Sequence, residues 1–573
     1  MPSALLLAPV LLAAFVVHRV FLKRSPLAHI PGPPSSSFIY GNLPQLLLPH
    51  TYGTFEFSWQ TTFGGLYRIK GPFASDRLVI SDPAALKAVM SDTQTWRRSD
   101  QQQYSVDMLI GKKAVFYIEG EEHKRVRNVM NAAFAPVVIR GLPPVFKGIA
   151  EKIANRWEDM LVSGAKLDAS GAMDIYPSLH DATLDAVGEG AMGYEFHSLE
   201  NSDSELGASH RNIIALSGVR SPFHILVDAI VPYISPTLLS LALKLPTPAF
   251  KVLQKNKELS KAVSSELIAS QQEIVRIGAE GRRDVTYALV KANASSKLGH
   301  QMSDEEMAQQ IPSLMIAGQD TTGNTLSWAI YRLASSPELQ EKIRAEVVEA
   351  CESSPGGDIS LTTIEGMVWL NAFLKETLRL HPGLPMSDRI ASTDAVIPVS
   401  QPITTSTGET ITEVRVPKGT HVHVATASAN RRVNSPAPYP LPLPPTQLQF
   451  PSIDADNTNL CGRLAYVWGP DAHEFKPERW IEPSKWAGNR AASNFGPYAN
   501  LSTFFGGARV CIGWRFAVTE LQILFTELVR RFKFALPPPE TSPELQVRMS
   551  VAVNMIPVVK NGKPSLPVIV EAV

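Results

Sequence analysis

Residues 504–513 read FFGGARVCIG and run directly into WRFAVTELQILFTELVRRF, which has the apolar spacing of an amphipathic helix. Cys511 sits among Gly506, Gly507 and Gly513, residues that let backbone approach a partner closely and take dihedrals closed to other side chains. A cysteine just ahead of a helix N-terminus feels the helix's positive end and its free N–H groups, and both favour the thiolate. Three roles compete: structural thiol, nucleophile and metal ligand. An ordinary lone cysteine is a small buried hydrophobe. A nucleophile needs a base, and no histidine lies near Cys511 in sequence. A thiolate held by backbone N–H groups suits an iron whose donor strength must be tuned. Arg509, two residues earlier, offers a fork for a carboxylate.

The chain that carries this loop has 573 residues, 44% hydrophobic and 19% charged, enough for a large core and too apolar for disorder. Fifty-four basic residues balance fifty-four acidic ones, so no net charge favours a nucleic-acid partner. Cys351, Cys461 and Cys511 are few and far apart, which fits a reducing compartment and no disulfide framework. No CxxC or HxxxH spacing offers a structural zinc site. Near the N-terminus, Ala4–Val17 is apolar and is followed by His18-Arg19, Val20–Leu22 and Lys23-Arg24. The stretch just reaches bilayer-spanning length, with monotopic insertion as the alternative. Its charge follows the apolar run, unlike a cleaved signal, and places the body on the cytosolic side. Residues 1–24 are therefore expected to be a membrane anchor. Residues 25–37, which contain IPGPPSSS, are expected to be a Pro-rich hinge, and 38–573 one large domain.

Apolar periodicity predicts helices over Thr321–Ser335 and Trp514–Phe532. Short strands are predicted at Arg77–Ser81, His421–Ala425 and Val547–Met555. The expected fold class is mainly α with small β-sheets. Ser435–Leu460 is proline-rich, poor in charge and without period.

Phe504, Gly507, Arg509, Cys511 and Gly513 fill the pattern F-x-x-G-x-R-x-C-x-G. The loop thereby resembles the haem-binding signature of the cytochrome P-450 superfamily, and the chain as a whole is similar to its fungal microsomal members. The resemblance implies haem b between a long central helix and the cysteine loop, with Cys511 as axial thiolate and Arg509 on a haem propionate. KETLRLHP (Lys375–Pro382) resembles the family's E-x-x-R helix. Glu376 and Arg379 share a helix face, but so do Glu122/Arg125, Glu273/Arg276 and Glu341/Arg344, and most such pairs are solvated. FKPERW resembles the companion motif. The resemblance implies that Glu376, Arg379 and Arg479 form a buried structural network behind the cysteine loop. AGQDTT (Ala317–Thr322) resembles the oxygen-side motif of the central helix. It implies Thr321 donating a hydrogen bond to dioxygen, Asp320 relaying protons, and Ala317 and Gly318 leaving room. The plainer reading is a polar patch packed against a neighbour. Ser303 and Glu306 predict a capping box at the start of this helix, and Pro312 predicts a kink or a later start. EEHKRVRNVMNAAF (Glu121–Phe134) resembles the helix carrying W-x-x-x-R, with His123 in the tryptophan position and Arg127 as the arginine. Arg389 matches a further propionate-binding arginine. Lys124, Arg125 and Arg127 form either a docking face for an acidic redox partner or a solvated charge run. Similar members run almost directly from an Asn-Arg pair to WGPDA. Here Ser435–Leu460 intervenes between Asn430-Arg431 and Trp468, as a surface insertion or a translated intron.

The implied activity is a monooxygenase that inserts one atom of O2 into a lipophilic small molecule. Electrons would come from NADPH through a separate membrane-bound flavoprotein reductase. The expected location is the endoplasmic reticulum membrane with the catalytic domain cytosolic. Regions that contact substrate in the family are apolar here, including Met108, Phe116, Leu384, Met386 and Met555. By analogy the substrate belongs to secondary metabolism, often terpenoid. Besides a non-haem membrane hydrolase, which the missing base argues against, two alternatives remain: a reductase-independent haem-thiolate isomerase or dehydratase, and a haem-binding carrier or sensor. The Asp320-Thr321 pair argues against both. Asn293 and Asn500 sit in glycosylation sequons and should be unmodified in a cytosolic body.

Overall fold

A computed structural model describes residues 25–431, 468, 471–482 and 496–573, apart from short internal segments, the longest between 235 and 246. The expected anchor (1–24) and the proline-rich stretch (435–460) lie outside the described residues. Among the described residues no helix is long and apolar enough to cross a membrane.

Five helices position the site: α1 (Gly120–Ala133), α2 (Tyr176–Val187), α3 (Asp304–Ala334), α4 (Val368–Leu380) and α5 (Trp514–Arg531). The 31-residue α3 runs through the centre, packed by α2, α4 and α5. It begins at the predicted capping box: Glu306 N–H donates to Ser303 Oγ (3.2 Å), and Ser303 N–H donates to the Glu306 carboxylate (2.8 Å). Pro312 lies inside α3, so the helix starts well before it, and the proline removes one rung of the ladder. Gly318 lets α2 approach, because a Cβ there would lie 2.4 Å from Val187 Cγ2. Phe373 of α4 stacks on Phe525 of α5 with centroids 5.3 Å apart, inside the largest buried apolar cluster.

A five-stranded sheet flanks the helices. Its strands are β1 (Leu66–Lys70), β2 (Asp76–Ile80), β3 (Trp96–Arg97), β4 (Met386–Ala391) and β5 (His421–Ala425), in the order β1-β2-β5-β4-β3. The predicted strands at 77–81 and 421–425 are β2 and β5, paired in parallel. The predicted strand Val547–Met555 is instead a hairpin, β6 (Gln546–Met549) and β7 (Met555–Val558). Ser550 and Asn554 close the turn between them: Ser550 N–H donates to Asn554 O, and Asn554 N–H donates to Ser550 Oγ, both at 3.0 Å. The Pro-Gly-Pro-Pro stretch has no regular secondary structure, as its composition predicts, yet it is tied to the body. Leu27 and Ile30 are buried in the sheet's apolar cluster, and Arg68 N–H donates to Pro31 O at 2.9 Å. The Asn293 amide is buried and bonded both ways to the Met302 backbone, which closes that sequon to a glycan.

Candidate active site

The cysteine loop is a closed turn: Cys511 N–H donates to Phe504 O at 2.8 Å. Of its glycines, Gly507 alone has left-handed backbone (φ 61°), and a Cβ there would lie 2.7 Å from Met90 O. Gly506 is extended, and Gly513 caps the N-terminus of α5 with φ −86°. Phe505 carries the loop's other positive φ, 54°. Burial pushes the Cys511 thiol up, while the Gly513 N–H and the nearby Arg127 act the other way. The helix end therefore helps the thiolate as expected, but burial outweighs it. The thiol keeps its proton until a cation faces it.

Cys511 and Phe504 open onto a cavity of about 1480 Å³. Ala317, Gly318, Thr321 and Thr322 of α3 line the same cavity. So do five basic side chains: Arg98, His123, Arg127, Arg389 and Arg509. Few of their bonds go to carboxylates. Arg509 pairs with Glu119, and among the described residues its buried Nη1 has no partner. Arg127 donates to Val510 O (2.9 Å), Arg389 to Ser387 Oγ and Asp388 O (both 2.7 Å), and Arg98 to the Val115 and Phe116 carbonyls. Burial, followed by the fields of Arg98 and Arg127, lowers the His123 pKa to about 4, so that ring is neutral at pH 7. Burial also lowers Arg389 and Arg509 to about 10, which leaves both charged. Burial and then Arg509, Arg389 and Arg127 hold Arg98 well below its ordinary value. Four guanidinium groups around one thiol fit a ligand that carries a metal and more than one carboxylate. Haem is such a ligand.

On α3, Thr321 Oγ1 donates to Ala317 O of its own helix at 2.7 Å. Asp320 points away from the cavity. Its Oδ1 lies 3.4 Å from His180 Nδ1 of α2, and its Oδ2 lies 3.4 Å from Asn554 Nδ2 in the β6–β7 turn. Gly318 lines the cavity and also serves the α2 contact, so its small size has a packing reason as well.

Behind the loop, Glu376, Arg379 and Arg479 meet with at most 2% exposure. Arg379 grips the Glu376 carboxylate with two bonds of 2.8 Å, and Arg479 Nε adds one of 2.9 Å. Arg379 also donates to the carbonyls of Asn430, Ala472 and Glu474 at 2.6–2.9 Å. The Asn430 side chain in turn holds Ser502 N–H (3.0 Å) and Thr503 Oγ1 (2.9 Å), the residues just before Phe504. The predicted basic face does not form one surface. Arg127 turns into the cavity, Arg125 pairs with Glu306 of α3, and Lys124 remains exposed.

Sequence reasoning missed three residues. Arg98 follows the buried Trp96 in WRRSD, and its only signal is a paired arginine at a strand end. His180 reads as one of several polar residues on α2, beside Ser178, Asp181, Thr183 and Asp185. Glu520 is fully buried within α5, and burial pushes its carboxyl well above the usual range, against the nearby Thr322 hydroxyl. Its signal was a charge in the middle of an apolar face.

Comparison with known proteins agrees with this geometry. The family model described as Cytochrome P-450 matches residues 31–434 and 457–558. A cytochrome P-450 monooxygenase of Postia placenta, numbered 205, is 30% identical over 94% of this chain and 91% of its own length. The ganoderic acid synthetase of Ganoderma lucidum is 30% identical over 93% of both chains. A cytochrome P-450 monooxygenase of Ampulloclitocybe clavipes is 27% identical over 90% of this chain and 88% of its own.

Proposed function

The chain belongs to the cytochrome P-450 family, and on that premise we propose a membrane-anchored monooxygenase that takes electrons from a separate NADPH-dependent flavoprotein reductase. One observation carries the reading. Cys511 and Thr321 line a single cavity that Arg98, Arg127, Arg389 and Arg509 also line. As a member of the family the chain is an oxidoreductase with haem-thiolate iron. Bound haem would supply activation of dioxygen, with two electrons from the reductase and two protons, so that one oxygen atom would enter a substrate C–H or C=C bond and the other would leave as water. Cys511 Sγ would ligate the iron. Arg509, Arg127, Arg389 and His123 would hold the propionates, joined by Arg98. Phe504, Gly507 and Gly513 fix the loop that aims the sulfur. Thr321 Oγ1, turned from the Ala317 carbonyl, would donate a hydrogen bond into the cavity, and Asp320, turned from His180, would relay protons. The apolar part of the lining, including Leu314, Leu384 and Met386, suits a lipophilic substrate.

Residues 1–24 are proposed as the anchor in the endoplasmic reticulum membrane, 25–37 as the hinge segment, and 38–573 as the cytosolic catalytic domain. The gap in the family match, 435–456, supports reading 435–460 as an insertion. Peptides from that stretch in a digest of native protein would exclude a translated intron. The name of the Ganoderma relative supports a place in secondary metabolism, and a terpenoid substrate follows from the resemblance alone.

The deciding test is the carbon monoxide difference spectrum of the reduced protein beside Cys511→Ala, followed by NADPH consumption with reductase. A red-shifted Soret band that disappears in the variant, with consumption dependent on reductase and substrate, is expected. The same band with turnover independent of reductase would instead establish an isomerase or dehydratase. Haem without the shifted band would point to a carrier or sensor.

A further inference from the structure

The cavity holds a second polar set, apart from the cations around the cysteine loop. Arg77 on β2, Asp388 on β4, and His421 and His423 on β5 all line it. Strand pairing brings them together, with Arg77 opposite His421 and Asp388 opposite His423. Arg220 and Asp228, outside the sheet, line the same cavity and pair with each other. The two sets meet on β4, where Arg389 feels Asp388, and otherwise have different neighbours. Arg98 feels Arg509, Arg389 and Arg127, whereas Arg77 feels Asp388, Asp228, Arg220 and Tyr233. Strand alternation explains the division, because Asp388 and Arg389 are neighbours on β4 and face opposite sides.

This second set is incompletely bonded. The Asp388 carboxylate is shared between two rings, 2.8 Å from His421 Nδ1 and 3.5 Å from His423 Nδ1. Among the described residues the Arg77 side chain makes no hydrogen bond and no ion pair. Its Nε, Arg220 Nε, His423 Nε2 and Asp388 Oδ1 are all buried without a hydrogen-bond partner. Gly71 leaves the space that this guanidinium uses, since a Cβ there would lie 2.3 Å from Arg77 Nε. A buried guanidinium Nε with no acceptor is costly unless a ligand supplies one. Two arginine donors near each other match the two oxygens of a carboxylate. Leu314, Leu384, Met386 and Val553 provide apolar wall in the same cavity.

We propose that this part of the cavity recognises the carboxylate of an otherwise apolar substrate, with Arg77 as principal donor and Arg220 Nε as second. The inference rests on the monooxygenase reading and adds the chemistry of its substrate: an amphipathic acid whose apolar body lies toward Thr321.

The test uses purified, haem-loaded full-length protein and three probes of equal chain length: dodecanoic acid, methyl dodecanoate and 1-dodecanol. Affinity is read from the Soret shift and, independently, from the thermal-unfolding shift. The acid should bind about ten-fold more tightly than the ester or the alcohol. Arg77→Gln should remove that preference and leave ester binding unchanged, and Arg77→Lys should fall between. Equal binding of acid and ester, a preference that survives in Arg77→Gln, or no binding of the acid would each overturn the proposal. The wild-type comparison decides even if the variants fail to fold. A carbon monoxide spectrum of the same sample separates the two levels. A red-shifted band without acid preference sinks this inference alone, while absence of the band sinks the monooxygenase reading beneath it.

Discussion

Replacing Arg379 with alanine should give protein without haem. The side chain is fully buried and makes five bonds, two to the Glu376 carboxylate and three to backbone carbonyls. Truncation leaves those three carbonyls without a donor, at roughly 1 kcal/mol or more each. Glu376 keeps Arg479, the Lys476 N–H and the Trp480 indole N–H, so its charge is not left bare. Breaking a buried pair costs about 3–5 kcal/mol, and the count of orphaned carbonyls falls in the same range. That is a large share of the roughly 5–15 kcal/mol that stabilises a typical fold. The damage should be local first. Asn430 O is one of the lost acceptors, and the Asn430 side chain holds Ser502 and Thr503 directly ahead of the cysteine loop. The assay is haem per chain in purified protein, with the urea midpoint measured in parallel. Arg379→Lys keeps the charge but loses the fork, and should retain part of the haem. Arg276→Ala removes an exposed pair of identical spacing and should change neither readout. A soluble Arg379→Ala with full haem and an unshifted midpoint would refute the reasoning.

Three further outcomes are expected. Gly507→Ala forces a Cβ onto a φ of 61° and to 2.7 Å from Met90 O, so it should cost about 1–3 kcal/mol and lower haem occupancy; unchanged occupancy would show that the loop relaxes. Asp320→Asn should lower product formed per NADPH consumed by about ten-fold or more while leaving the carbon monoxide band intact; unchanged coupling would remove Asp320 from proton supply. Burial lowers the His423 pKa from an ordinary value near 6.5 to about 3. The unfolded chain therefore takes up a proton that the folded chain refuses, so His423's contribution is complete above pH 6.5 and is lost as pH falls toward 3. The loss should reach roughly 1–2 kcal/mol by pH 5. His423→Gln should flatten the pH dependence of the urea midpoint over that window, only in part because His123 and His473, each lowered to about 4, act in the same direction. An unaltered slope would exclude His423 as a contributor.

The parts of this protein legible in its sequence rest on short-range geometry. The capping box at Ser303, the helix after Cys511 and the strands at β2 and β5 each follow from spacing within a dozen residues, and each formed as read. The hairpin at 546–558 was read as one strand because its turn is held by Ser550 and Asn554 bonding each other, which apolar alternation does not register. The four Glu–Arg pairs of identical spacing make the boundary sharpest. Glu376 and Arg379 pair in the core, and Glu273 and Arg276 pair in solvent. Glu122 turns to Lys113 and Arg125 to Glu306, while Glu341 turns to Lys533 and Arg344 to the carbonyls of Val529 and Arg530. Their spacing does not distinguish them. The sequence by itself determined the cysteine motif, the central helix and the residue types around a cavity. Tertiary structure alone decided that Arg98 joins those cations, that Asp320 faces His180 and not the cavity, and that Arg77 finds no acceptor among the described residues. The physical reason is that a charge's partners and its dielectric are set by burial, and burial is set by segments that arrive from hundreds of residues away.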